Sequence, residues 1–136
     1  MRPEALMRRL AKAIENSDLQ SLVEAVDEQV AWHVGGRQPG VLGLGGTYLS
    51  RAGLLEVTAR LATQFNFYRF EPKEILAEGE IIWGWFDVAA TLVGRPTQQA
   101  QCDVVLRWRV RDGKILESWS FYDTAYVASQ LATKLG

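Results

Sequence analysis

Apolar positions recur along the chain with two different periods, and the change of period divides it. Leu6, Leu10 and Ala13/Ile14 fall at helical spacing behind Pro3, whose missing N–H costs little in a first turn. Asn16-Ser17-Asp18 is a break rich in N-cap residues. A second short helix is expected with Leu19, Leu22, Val23 and Val26 on one face, then a short strand from Val30 to Val34. Residues 35–46, GGRQPGVLGLGG, read as a loop, expected to be mobile. Ser50 is placed to cap a third helix running to about Phe65, with Leu54, Leu61 and Phe65 facing the core.

From about Tyr68 to Asp123 the period becomes two. FYRFEPKEILAEG, EIIWGWFDVAATLVG, TQQAQCDVVLRWRVRDG and KILESWSFYD read as successive strands, separated by hairpin signals at Gly79, Gly94-Arg95-Pro96 and Asp112-Gly113. Pro72 places the first of them at an edge or a bulge. A last helix, Thr124 to Leu135, aligns Val127, Leu131 and Leu135. Helices followed by consecutive strands predict an α+β domain over residues 1–136, with N-terminal helices packed on an antiparallel β-sheet.

Alternation along the strands separates two faces. The even positions, among them Ile82, Phe86, Val88, Cys102, Val104, Leu106, Trp108, Leu116, Ser118, Ser120 and Tyr122, are almost uncharged. The odd positions carry Asp87, Arg107, Arg109 and Glu117, a set suited to cross-strand ion pairs, together with Trp83, Trp85, Ile115, Trp119 and Phe121. Burying unpaired charge costs far more than burying Ser or Tyr, so the even face is assigned to the helices. The odd face then holds too much aromatic surface for water, which predicts a homodimer formed sheet against sheet. The alternative is that neighbouring charged stems partly cover the tryptophans.

Composition narrows the function. A formal net charge of -1 gives no electrostatic footprint for nucleic acid or an anionic membrane. The N-terminus, MRPEALMRRLAKAIE, lacks the apolar segment of a signal peptide, and no run approaches the roughly 18 apolar residues of a membrane span. The single cysteine, Cys102, excludes an internal disulfide and agrees with a cytoplasmic location. One His, one Cys and scattered carboxylates offer no metal set, and the glycine loop lacks the strand–loop–helix form and lysine of a phosphate cradle, so no cofactor is expected.

At this point VAWHVGG, the glycine-rich loop, GTYLSRAGLLEVTARL and the closing GKILESWSFYDTA resemble the SnoaL-like branch of the nuclear transport factor 2-like (cystatin-like, ketosteroid isomerase-like) superfamily. The resemblance covers roughly residues 5–128. It implies a conical fold with a pocket between the concave sheet face and the helices. The scaffold hosts isomerases, polyketide cyclases, epoxide hydrolases and non-enzymes, so it does not fix the chemistry. By resemblance, His33 occupies the place of the isomerases' aspartate base and the epoxide hydrolases' water-positioning asparagine. A histidine there would carry a proton near neutral pH. The catalytic aspartate of the cyclases and epoxide hydrolases falls at Ser120. The cyclase histidine falls at Leu106, and the isomerases' oxyanion-binding aspartate at Leu106 or Val105. Their helix-one tyrosine falls at Leu10. None of the three sets is intact.

The candidate catalytic residues are therefore His33, Ser120 and Tyr122. Asp87 would join them as a carboxylate base only if a register slip turned it inward; otherwise it is expected to pair with Arg107. Asp123 offers a carboxylate too, but directly before TAYVASQLA it reads first as an N-cap. Tyr48 is expected at the pocket mouth, Ser118 as a hydrogen-bonding wall residue, and Phe86, Val88, Cys102, Val104, Leu106 and Trp108 as the ligand-binding wall. Two functions stand against each other. One is a cofactor-independent isomerase, cyclase or hydratase/hydrolase acting on a small hydrophobic molecule. The other is a non-catalytic binding protein or accessory dimerisation module.

Overall fold

The computed structural model describes residues 2–35 and 44–135, so most of the glycine-rich loop lies outside the described residues. The elements in chain order are α1 (Pro3–Glu15), α2 (Leu19–Glu24), β1 (Val26–Val34), β2 (Gly46–Leu49), α3 (Ser50–Gln64), β3 (Phe65–Glu78), β4 (Ile81–Leu92), β5 (Arg95–Arg111), β6 (Lys114–Tyr122) and α4 (Thr124–Leu135). The six strands form one sheet in the order β2-β1-β6-β5-β4-β3. All neighbours are antiparallel except β1 and β6, which run parallel. This is the expected α+β architecture of helices on a mostly antiparallel sheet.

Local chemistry explains the boundaries. Leu6, Met7, Leu10 and Ala11 give α1 a buried stripe. Asp18 caps α2, accepting from the Ser21 backbone N–H at 3.2 Å and the Ser21 hydroxyl at 2.6 Å. Asp112 and Gly113 both have positive φ, 50° and 74°, as a two-residue hairpin with the strand's own twist requires. Pro72 lies on β3, which is an edge strand and is also irregular there, with register shifts between Phe67 and Arg69 and between Pro72 and Glu74. The Glu15 carboxylate at the end of α1 accepts from the Phe70 N–H at 2.9 Å, tying the helix to this edge strand.

The even face is the covered one. Ile82, Phe86, Val88, Val104, Leu106, Trp108 and Ser118 are buried, and Met7, Leu10, Leu54 and Val57 meet them from α1 and α3. Burial of side chains this size contributes roughly 1.5–3 kcal/mol each, which makes this layer the main source of stability.

Several expectations are corrected. β1 begins at Val26, because that residue pairs with Ile115 instead of ending a helix. β2, a four-residue strand paired with β1, was not expected as a strand. Ser50 does not cap α3: the cap position falls on Leu49 and no side-chain cap bond forms. The expected parity also fails at the start of β6. An irregularity opposite Arg109 and Val110 lets Ile115 pair with Val110, so Ile115 is buried and Leu116 is not.

Candidate functional site

Side chains of the sheet's inner face, α2, α3 and α4 enclose a cavity of about 440 Å³. That lies within the range of small-molecule sites. Consecutive inward positions of adjacent strands build its floor. Trp32 lies opposite Ser118 and Ser118 opposite Trp108, a transverse row across β1, β6 and β5 that continues to Ile82 of β4, outside the lining. The next rows bring Ser120 beside Leu106 and Tyr122 beside Val104. Val57, Thr58 and Leu61 of α3 and Val127 of α4 roof it.

Of the expected wall residues, Val88, Val104, Leu106, Trp108 and Ser118 line this cavity, together with Ser120 and Tyr122. Phe86 does not. Its ring is fully buried 5.1 Å from that of Phe70, and it lies against Gly84, where an added Cβ would come 2.5 Å from both Met7 Sδ and Phe86 Cε2. Cys102 is half-buried beside Asp103 and Asp123 at a separate surface depression. Burial first, and the neighbouring carboxylates second, push its thiol up to about 11, so it is no thiolate at neutral pH. Tyr48 is buried outside the cavity wall. Its hydroxyl donates to the Leu44 carbonyl at 3.0 Å and accepts from Arg60 at 2.8 Å.

The largest correction concerns His33. It faces the opposite side of the sheet from Trp32 and Val34, outside the cavity. Its ring stacks on Trp119 with centroids 3.8 Å apart, and Nδ1 lies 2.8 Å from the Thr47 hydroxyl. Burial against that face lowers its pKa below the ordinary histidine value, opposed in part by Glu117. Asp87 also stays on the outer face. It is opposite Asp103 in the ladder and pairs with Arg69 at 2.9 Å, not with Arg107, which instead binds Glu117 at 2.8 Å. Asp123 accepts from the Tyr126 N–H at 2.9 Å, as an N-cap does. The Ser120 hydroxyl is engaged with the backbone of the neighbouring strand end, accepting from Gly35 N at 3.3 Å and donating to the His33 carbonyl at 3.4 Å.

Trp32, Phe67, Phe70, Thr58 and Asn66 also line the cavity and were not singled out in the sequence. For Trp32 a signal existed, since Val30, Trp32 and Val34 alternate on one face of β1. Among the described lining residues none carries a carboxylate, an imidazole, an amine or a thiol. The cavity therefore offers apolar area, hydroxyls, one amide and indoles. Two of its buried polar atoms, Trp108 Nε1 and Ser118 Oγ, have no hydrogen-bond partner. A buried group left so costs about 1–3 kcal/mol. No cluster of metal-ligating side chains occurs among the described residues, and no helix among them is long and apolar enough to cross a membrane.

The outer face carries its own aromatic array. Trp119 stacks on Phe121 at 6.1 Å, while Lys73 lies 4.8 Å from the Trp85 ring and Arg107 6.0 Å from that of Trp83. The charged stems thus cover the tryptophans in part: Trp83 and Trp85 remain 45% and 42% exposed, and Phe121 beside them 42%.

Comparison with known proteins adds to this geometry. The model of the SnoaL-like domain matches residues 7–118. Among solved structures, TerC co-crystallised with polyporic acid is 23% identical, with a TM-score of 0.80, over 94% of this chain and 96% of that one. IdmH from Streptomyces antibioticus, a candidate polyketide cyclase, is 22% identical, with a TM-score of 0.76, over 97% and 99%. An NTF2-like protein from Burkholderia thailandensis is 22% identical, with a TM-score of 0.79, over 96% and 98%. At these identities the likeness is one of fold. The search of curated proteins gives no match.

Proposed function

The chain belongs to the SnoaL-like domain family, and from that premise we propose that it binds a small, largely apolar molecule in the cavity between its helices and the inner sheet face. One observation carries this reading: a space of about 440 Å³ whose described lining is apolar apart from a few neutral polar groups. Such a lining desolvates an uncharged ligand at little cost and rejects an ionised one. The same composition favours binding over proton transfer, because His33, Asp87 and Asp123 all lie away from the space. TerC, co-crystallised with polyporic acid, is a relative by fold whose ligand makes small-molecule binding the natural first test.

The test is to fill the space. Leu106→Trp adds bulk at the floor, and thermal-shift titration with lipophilic ketones, lactones and epoxides reads the result. The wild-type protein is expected to gain melting temperature with at least one of these classes, and the folded variant to lose that gain. Equal gains in both proteins would show that the ligand sits elsewhere.

We also propose that the protein forms a homodimer through its outer sheet face. Trp83, Trp85 and Phe121, each more than two-fifths exposed on one side of one sheet, support this.

A further inference from the structure

We propose that the Trp108 indole N–H and the Ser118 hydroxyl form a recognition point for an uncharged carbonyl oxygen, so that the ligand is a ketone, quinone or lactone on an apolar frame. The inference rests on the binding reading above and specifies its ligand.

Both residues line the cavity, both are fully buried, and both polar atoms lack a partner within the protein. They are directly opposite each other on β5 and β6, so they share one patch of the floor. Trp32 flanks Ser118 from the other side, with its ring 6.3 Å from that of Trp108. The chemistry of the missing partner follows from the donors. An indole N–H donates only, so whatever satisfies it is an acceptor. A serine hydroxyl turns to donate beside it. A carbonyl oxygen has two lone pairs, enough for both, and brings no hydrogen needing an acceptor of its own. A carboxylate would fit the donors but would enter without a cation, since no Lys, Arg or His is among the described lining residues. An apolar ligand lacking oxygen would leave both groups unpaired. Two other hydroxyls of the wall are less suited to this role: Thr58 donates to the Leu54 carbonyl at 2.9 Å, and Ser120 is held by the end of β1.

Matched pairs test this, each pair differing in the oxygen alone: 9-fluorenone against fluorene, and benzophenone against diphenylmethane. Calorimetry on the whole chain is expected to show each ketone binding about tenfold tighter than its hydrocarbon, the size of a hydrogen bond formed in a dry site. Ser118→Ala, a small change, should narrow that ratio severalfold. Trp108→Phe should narrow it further where that variant folds. In the wild-type protein the infrared carbonyl stretch of bound fluorenone should fall to lower frequency, and the Trp108 indole N–H proton resonance should move on ketone binding but not on hydrocarbon binding. Equal affinity within every pair, with no carbonyl shift, would mean that water occupies the point and would overturn the inference while leaving the cavity a binding site. Failure of every probe to bind would overturn the binding reading and the inference with it.

Discussion

The two faces of the sheet differ by a one-residue step in every strand and by nearly everything else. The inner row runs Trp32, Ser118, Trp108, Ile82; the outer row, one position along, runs His33, Trp119, Arg107, Trp83. Both rows are rich in indole rings. Only the outer one carries ionisable groups, and its rings pair with cations or with an imidazole. The inner rings pack with each other and leave a space. Aromatic content therefore says little about which side holds a ligand. The placement of charge decides it, because a carboxylate or guanidinium is tolerated only where water or a partner remains.

Mutations at matched rows break or sharpen this contrast. Trp108→Ala should cost about 3–5 kcal/mol in urea unfolding, since it opens a void in a packed floor, while Trp83→Ala should cost under about 1 kcal/mol. Similar costs on both sides would erase the distinction between the faces. Trp85→Glu should leave the fold intact and weaken self-association by about tenfold or more in sedimentation equilibrium, because it puts a carboxylate at the centre of the proposed contact. A wild-type protein that sediments as a monomer at all concentrations would end the dimer proposal.

The smallest effect is pH-dependent. His33 has its pKa lowered in the folded state, chiefly by burial against the outer face, so folding disfavours the imidazolium. Its contribution to stability is full above the unfolded histidine value and is lost as pH falls through that value toward the folded one. Proton NMR should place the His33 midpoint below that of an exposed histidine, and Trp119→Ala should raise it.

Alternation made much of this legible in advance. Ile82, Phe86 and Val88 of β4 and Val104, Leu106 and Trp108 of β5 are inward as expected, and three hairpin breaks fall where glycines with positive φ stand. The N-cap of α4 was readable because it is local, Asp123 bonding three residues ahead. What failed needed contacts between distant segments. Ile115 and Leu116 are both apolar, so nothing in the pattern marks which one the irregularity opposite Arg109 turns inward. The partner of Asp87 sits on β3, whose register is shifted by an irregularity of its own. Phe86 has the right parity but packs on Phe70, which arrives from β3 and lines the cavity where Phe86 does not. His33 was misplaced for another reason. Resemblance set its role, while the alternation of Val30, Trp32 and Val34 already put it on the other side.

The parallel pairing of β1 with β6 has a consequence for biosynthesis. Trp32 and Ser118 become neighbours only after more than half of the chain has been made between them. Until Lys114–Tyr122 clears the ribosome, β1 has its short partner β2 on one edge and nothing on the other. The binding chamber is thus closed by a late, long-range step, of the kind that slows folding. A nascent chain stalled before β6 would hold the hairpins of β3, β4 and β5 without a pocket, its Trp32 still waiting for a wall.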